Sequence, residues 1–130
     1  MQPFLIDLDD VTYTPDGVNV LCDVTLRASE RRIGIVGRNG SGKTSLARVL
    51  AGLVAPSSGK LRINGVDVVK DRKAALRQVG ILFQNPDHQI IFPTVEEEIS
   101  FGLTQLKQSP KEAAQKTADI LARFNRSHWA

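Results

Sequence analysis

The stretch that most constrains this 130-residue chain is Gly37-Arg38-Asn39-Gly40-Ser41-Gly42-Lys43-Thr44-Ser45. Gly37, Gly42, Lys43 and Thr44 satisfy the pattern G-x-x-x-x-G-K-[ST]. Glycines let a backbone curl until successive N–H groups face one point, which makes an anion nest. A helix that starts there adds the positive end of its dipole and its unpaired N–H groups. In such a loop the backbone of Asn39, Gly40, Ser41 and Gly42 cradles phosphates, and Lys43 reaches the β- and γ-phosphates as a point charge. The Thr44 hydroxyl suits Mg²⁺, which prefers oxygen ligands, and Ser45 adds a hydroxyl on the α-phosphate side. Glycine-rich helix starts also match by chance, so the flanks decide. Ile33, Ile35 and Val36 read as a short apolar strand running in, and Leu46, Val49, Leu50 and Leu53 follow at helical spacing, with Gly52 near the helix end. That context predicts an α/β P-loop fold.

Upstream, residues 4–13 alternate loosely around Phe4, Ile6, Leu8 and Val11, and Asp16-Gly17 marks a turn. Residues 18–28 place Val18, Val20, Cys22, Val24 and Leu26 on one face at period two. Together they predict an antiparallel sheet region, in which Cys22 is a small core residue. Residues 60–69 read as a hairpin about Asn64-Gly65, where both positions tolerate positive φ. Residues 70–78 suggest a short helix. Val79, Ile81, Leu82 and Phe83 then form an unalternating apolar run, as expected of a strand buried on both faces. It ends in the turn sequence Gln84-Asn85-Pro86-Asp87. Thr94 caps a helix over 94–102 that Gly102 stops. Glu96, Glu97 and Glu98 offset that helix's dipole and need no catalytic role. Ser109-Pro110-Lys111-Glu112 is a capping box opening a last helix, with Ala113, Thr117, Ile120, Leu121 and Phe124 on one face. Trp129 is expected to be partly buried.

Composition excludes several classes. The chain is 42% apolar and 24% charged, ordinary for a globular domain, and its net charge of +3 is spread without a block of like charges. Nucleic acid is therefore not an expected partner. One cysteine forms no internal disulfide, and no Cys/His cluster suggests a metal centre. The acidic start MQPFLIDLDD lacks a secretory pattern, and no apolar run approaches the roughly 20 residues that span a bilayer. The chain is expected to be soluble and cytoplasmic, so that any membrane role would come through a partner.

The loop GRNGSGKTS, the hairpin LRINGVDV and the strand end ILFQNPD, in that order and spacing, resemble the nucleotide-binding subunit of ATP-binding-cassette transporters over nearly the whole chain. Residues 84–102, with Gln84-Asn85-Pro86-Asp87-His88-Gln89, Thr94-Val95-Glu96-Glu97-Glu98 and Phe101-Gly102, resemble the ATPase of energy-coupling-factor importers of vitamins, cobalt or nickel, with biotin favoured. The resemblance implies that Tyr13 stacks on adenine, against the alternative of a tyrosine at a sheet margin. It implies that Gln84 touches Mg²⁺ and the attacking water, against that of a turn residue. It places Asp87, His88 and Gln89 against a transmembrane coupling subunit, beside a substrate-binding membrane protein and a second cassette ATPase. His88, Ile91 and Glu30-Arg31 depart from the family pattern.

The pattern also has gaps. No strand after residue 44 ends in the Asp-Glu pair that would supply the general base, the family's Leu-Ser-Gly-Gly-Gln-like signature is absent, and His128 comes too early to be the histidine after that base. The expectation is a cassette ATPase domain with an N-terminal antiparallel β-subdomain, truncated before the second catalytic motif. Residues 1–32 and 60–69 would form the β-subdomain, 33–59 and 70–84 the P-loop core, and 85–130 the start of a helical subdomain. These residues would bind ATP without turning it over. The alternatives are a non-hydrolytic nucleotide-binding module, another P-loop enzyme such as a small-molecule kinase, and a cassette protein acting on ribosomes or DNA.

Overall fold

A computed structural model describes residues 5–130, apart from the side chain of His88; Phe4, expected in the first strand, lies outside the described residues. The chain divides into two compact units, one ending at Ile81 and the other running from Leu82 to Ala130.

The first unit is built on β1 (Ile6–Tyr13), β2 (Leu21–Ala28), β3 (Ser58–Ile63) and β4 (Val66–Asp67), with α1 (Lys43–Leu50) and α2 (Arg72–Leu76). The sheet order is β2-β1-β3-β4 and every pairing is antiparallel. The β3–β4 turn is the Asn64-Gly65 turn expected from sequence, with φ of 50° and 76°. Leu8, Val11, Leu21, Val49, Leu61, Ile63, Val68 and Ala75 make the core. Helix α1 ends in a Schellman arrangement: Leu53 N donates to Arg48 O, Gly52 N donates to Val49 O, and Gly52 takes φ 72°. Leu53 itself lies beyond that stop and is exposed, not on the helix's core face.

The loose alternation of β1 has a definite cause. Leu8 and Val11 are both fully buried although they stand three positions apart, with two residues between them. A regular strand would send them to opposite faces. An extra residue at Asp9-Asp10 makes a bulge, with Asp10 at φ 47°, and returns Val11 to the core. A second bulge at Asp23, also at φ 47°, does the same for Leu21 against Val24. Cys22 is therefore not a core residue: the bulge turns it to the outside, where it is exposed.

Two further expectations are corrected. The runs Ile33–Val36 and Val79–Phe83 are not strands. A buried strand satisfies its backbone through neighbours on both sides; among the described residues the four strands pair only with one another. Val36 is 95% exposed and Leu82 87%.

The second unit contains α3 (Val95–Gln105) and α4 (Pro110–Arg123), which pack together, and α4 buries Ala113, Thr117 and Leu121. Both open with full capping boxes, Thr94 with Glu97 and Ser109 with Glu112. Gly102 does not stop α3. It keeps a helical φ inside the helix, a cost of about 1 kcal/mol relative to alanine that α3 bears. Phe124 follows α4 as its cap and is exposed, as is Trp129, whose ring lies 5.0 Å from the Arg126 guanidinium. The N–H of Ser109, and then its hydroxyl, donate to Glu112 and hold that carboxyl below its ordinary pKa. This cap thus stabilises above the ordinary glutamate range and is lost as pH falls through the lowered value.

The β1 bulge presses on β3. At Gly59, φ is 90° and a Cβ would sit 2.3 Å from the Asp10 carbonyl oxygen. Gly59→Ala should therefore cost about 2 kcal/mol or more, lowering Tm by roughly 10 °C in calorimetry. An unchanged Tm would contradict this packing.

Candidate functional site

The phosphate loop is formed by its own residues. Ser41 N donates to Arg38 O at 3.1 Å, closing a turn, and Leu46 N donates to Gly42 O at 2.8 Å, the first bond of α1. Gly40 and Gly42 take φ of 81° and 95°, conformations that favour glycine. The ammonium of Lys43 folds back over the loop and donates to the carbonyls of Gly37 and Arg38, the latter at 2.8 Å. The curl thus carries its own cation. The first turn of α1 holds no acidic residue, so nothing there competes with a phosphate for the helix's positive end. Thr44, at the second helical position, is exposed, and Ser45 is half-buried. This donor set fits a phosphate chain with Mg²⁺: N–H groups and an ammonium for the anion, and the Thr44 hydroxyl as a hard oxygen for the cation.

One contact fixes where this loop stands on the sheet. A Cβ at Gly42 would lie 3.0 Å from the Val20 carbonyl oxygen and 3.2 Å from Leu21 Cδ2. The start of β2 therefore abuts the loop directly. Tyr13 is the β1 partner of Leu21, and its carbonyl accepts from Val20 N at 3.0 Å. Tyr13 is half-buried against the core and stands one residue pair from the loop. Thr14 N donates to Ser57 Oγ, and Ser57 N to Thr12 O, which tie down the strand end that carries it. Val20 reads from sequence only as a strand-face residue and Leu21 carries no signal of its own; apolar character predicts burial but not a loop neighbour.

In the second unit, Gln84 is exposed ahead of a 3-10 turn, Pro86–His88. Asn85 Oδ1 accepts from Asp87 N and caps that turn. Asp87 is exposed, whereas Gln89 is half-buried and its Oε1 accepts from Phe83 N at 3.4 Å. Gln89 thus braces the loop. Glu98 also does more than offset a dipole: its Oε2 accepts from Ile91 N at 2.9 Å and Phe92 N at 2.8 Å. That carboxylate holds a bend on which Ile90 and Ile91 are exposed, and Phe92 packs on Phe101 with ring centroids 4.9 Å apart. Among the described residues no group of three or more His, Cys, Asp or Glu forms a metal-binding cluster, and no helix is long and apolar enough to cross a membrane.

Residues 22–130 match the family described as ABC transporter. The chain is 54% identical over 124 residues to the biotin transport ATP-binding protein BioM of Rhodobacter capsulatus, covering 95% of this chain and 53% of that protein. It is 37% identical over 130 residues to the energy-coupling factor transporter ATP-binding protein EcfA of Methanothermobacter thermautotrophicus, covering 96% and 42%. Among solved structures, cbiO1 of Clostridium perfringens, part of the ABC transporter complex cbiONQ, superposes with a TM-score of 0.72 at 26% identity, covering 98% of this chain and 53% of that one. The chain spans about half the length of the curated relatives it matches.

Lys43 is the loop's point charge, and charge-assisted contacts of this kind contribute about 1.5–3 kcal/mol. Lys43→Ala should weaken magnesium pyrophosphate binding by roughly 10- to 100-fold in calorimetry with Tm little changed. Unchanged affinity would remove the loop as the phosphate site.

Proposed function

The chain belongs to the ABC transporter family, and on that premise we propose that it is the ATP-binding subunit of an energy-coupling-factor importer. The observation that carries the proposal is the preformed phosphate loop, with Lys43 over its carbonyls and Gly42 seated against Val20 and Leu21. Asn39, Gly40, Ser41, Gly42, Lys43 and Ser45 would hold the phosphates, and the Thr44 hydroxyl would give Mg²⁺ a hard oxygen ligand. Tyr13 stacks on adenine. Gln84 keeps, by family resemblance alone, the role of a sensor of nucleotide state for the loop after it: its amide both donates and accepts and carries no charge.

ATP closes this cassette on a second one, and hydrolysis reopens the pair, a population shift driven by differential affinity for the closed state. Asp87 and His88, with the loop that Gln89 braces, face the transmembrane coupling subunit. Ile90 and Ile91 extend that contact with exposed apolar surface. A separate membrane protein binds the substrate, and this chain is peripheral on the cytoplasmic face through these partners. The identity to a biotin transport protein favours biotin over cobalt or nickel. A narrower reading has its own support. These 130 residues contain no Asp-Glu pair, so taken alone they bind nucleotide without a general base for turnover.

Two measurements test the proposal. Cells that carry the membrane subunits should take up labelled biotin with this gene product and lose uptake with Lys43→Ala; uptake indifferent to Lys43 would refute the importer role, and cobalt or nickel uptake instead would reassign the substrate. Tyr13→Ala should weaken Mg-ATP by roughly 5-fold or more, since base–aromatic stacking is worth about 1–3 kcal/mol, while magnesium pyrophosphate stays within about 2-fold. Equal losses for both ligands would exclude stacking.

A further inference from the structure

The two bulges of β1 and β2 cancel each other. Pairs Ile6↔Ala28 and Leu8↔Leu26 precede the first bulge, Val11↔Val24 lies between the two, and Tyr13↔Leu21 follows the second. The first inserts a residue into β1 and the second inserts one into β2, so the ladder resumes its original register at Tyr13. A one-residue slip in a strand sends every later side chain to the other face. The β1 bulge therefore decides that Tyr13 shares the core face with Leu8 and Val11. The β2 bulge decides that Leu21, which touches Gly42, stands opposite it.

Both bulges are latched by the same exchange. Asp10 N donates to Thr25 Oγ1 at 3.1 Å, and that hydroxyl donates to Asp10 Oδ1 at 3.1 Å. Asp23 N donates to Thr12 Oγ1 at 3.0 Å, and that hydroxyl donates to Asp23 Oδ1 at 3.2 Å. Each aspartate adopts positive φ, which Asp and Asn tolerate better than other residues with a side chain, and each threonine of one strand holds the bulge of the other. The Asp10 carbonyl is also the atom that excludes a side chain at Gly59.

We propose that Asp10 and Asp23, with Thr25 and Thr12, are positioning residues for the nucleotide base: they place Tyr13 on the loop side of the sheet at the height of Gly42. This rests on the reading of Tyr13 as the stacking residue. The latch bonds of all four run between β1 and β2. Their loss acts on the base and not on the phosphates.

The test is titration of the protein with Mg-ATP and with magnesium pyrophosphate, in the wild type and in Asp10→Ala, Asp10→Asn, Asp23→Ala and Asp23→Asn. The alanine variants should lose ATP affinity by roughly 5-fold or more, as a displaced stacking partner requires, with pyrophosphate within about 2-fold. The asparagine variants, which tolerate positive φ and keep an acceptor oxygen, should restore the ATP affinity. Parallel loss of both ligands, or no loss in either folded alanine variant, would overturn the proposal. Should Asp10→Ala fail to fold, Thr25→Val removes the same latch from the other strand and is read by the same ratio. Tyr13→Ala separates the two claims. If it leaves the ratio of the two affinities unchanged, stacking and positioning both fall. If it alters the ratio and the aspartate variants do not, only positioning falls.

Discussion

The steric seat of Gly42 is the constraint on which the rest depends. With φ at 95°, and with a Cβ there lying only 3.0 Å from the Val20 carbonyl oxygen and 3.2 Å from Leu21 Cδ2, the loop packs closely on the start of β2. Backbone packed that closely transmits position: the sheet sets the height of the loop, and the loop sets where α1 begins. The Lys43 ammonium then donates to the Gly37 and Arg38 carbonyls and is held over the curl of the loop. Donors held in place in this way need little rearrangement when an anion binds, and the proposed phosphate site draws on that.

The loop was legible in the sequence because its chemistry is local: glycines, cation, hydroxyls and helix all fall within residues 37–50. The sheet was legible in outline and misread in detail. Period two predicts which residues share a face only while the strand is regular. The odd spacing of Leu8 and Val11 was the signal of a bulge, and Cys22 was misplaced because Asp23 resets the alternation. Ile33–Val36 and Val79–Phe83 have the composition of buried strands, but composition names no partner, and ladder partners are set by the whole fold. Val20 and Leu21 were invisible as site residues for the same reason.

In the second unit the capping boxes at Thr94 and Ser109 are both present as expected, since a cap is a contact over three residues. The three glutamates of 96–98 divide their work. Glu97 completes the cap, whereas Glu98 reaches back to the N–H groups of Ile91 and Phe92. Dipole arguments treat the three alike, because they weigh charge and ignore direction. Gly102 was read as a stop, yet a glycine ends a helix only where the chain goes on to adopt the left-handed conformation. Here Lys107, at φ 61°, does so just beyond the end of α3.

The central claim is that residues 37–45 form a working phosphate nest on this sheet, and calorimetric titration of the protein with Mg-ATP tests it most directly. The account predicts saturable binding at one site per chain, displaced by magnesium pyrophosphate. A folded protein, with its unfolding transition intact, that gives no binding heat and no competition at millimolar Mg-ATP would contradict it.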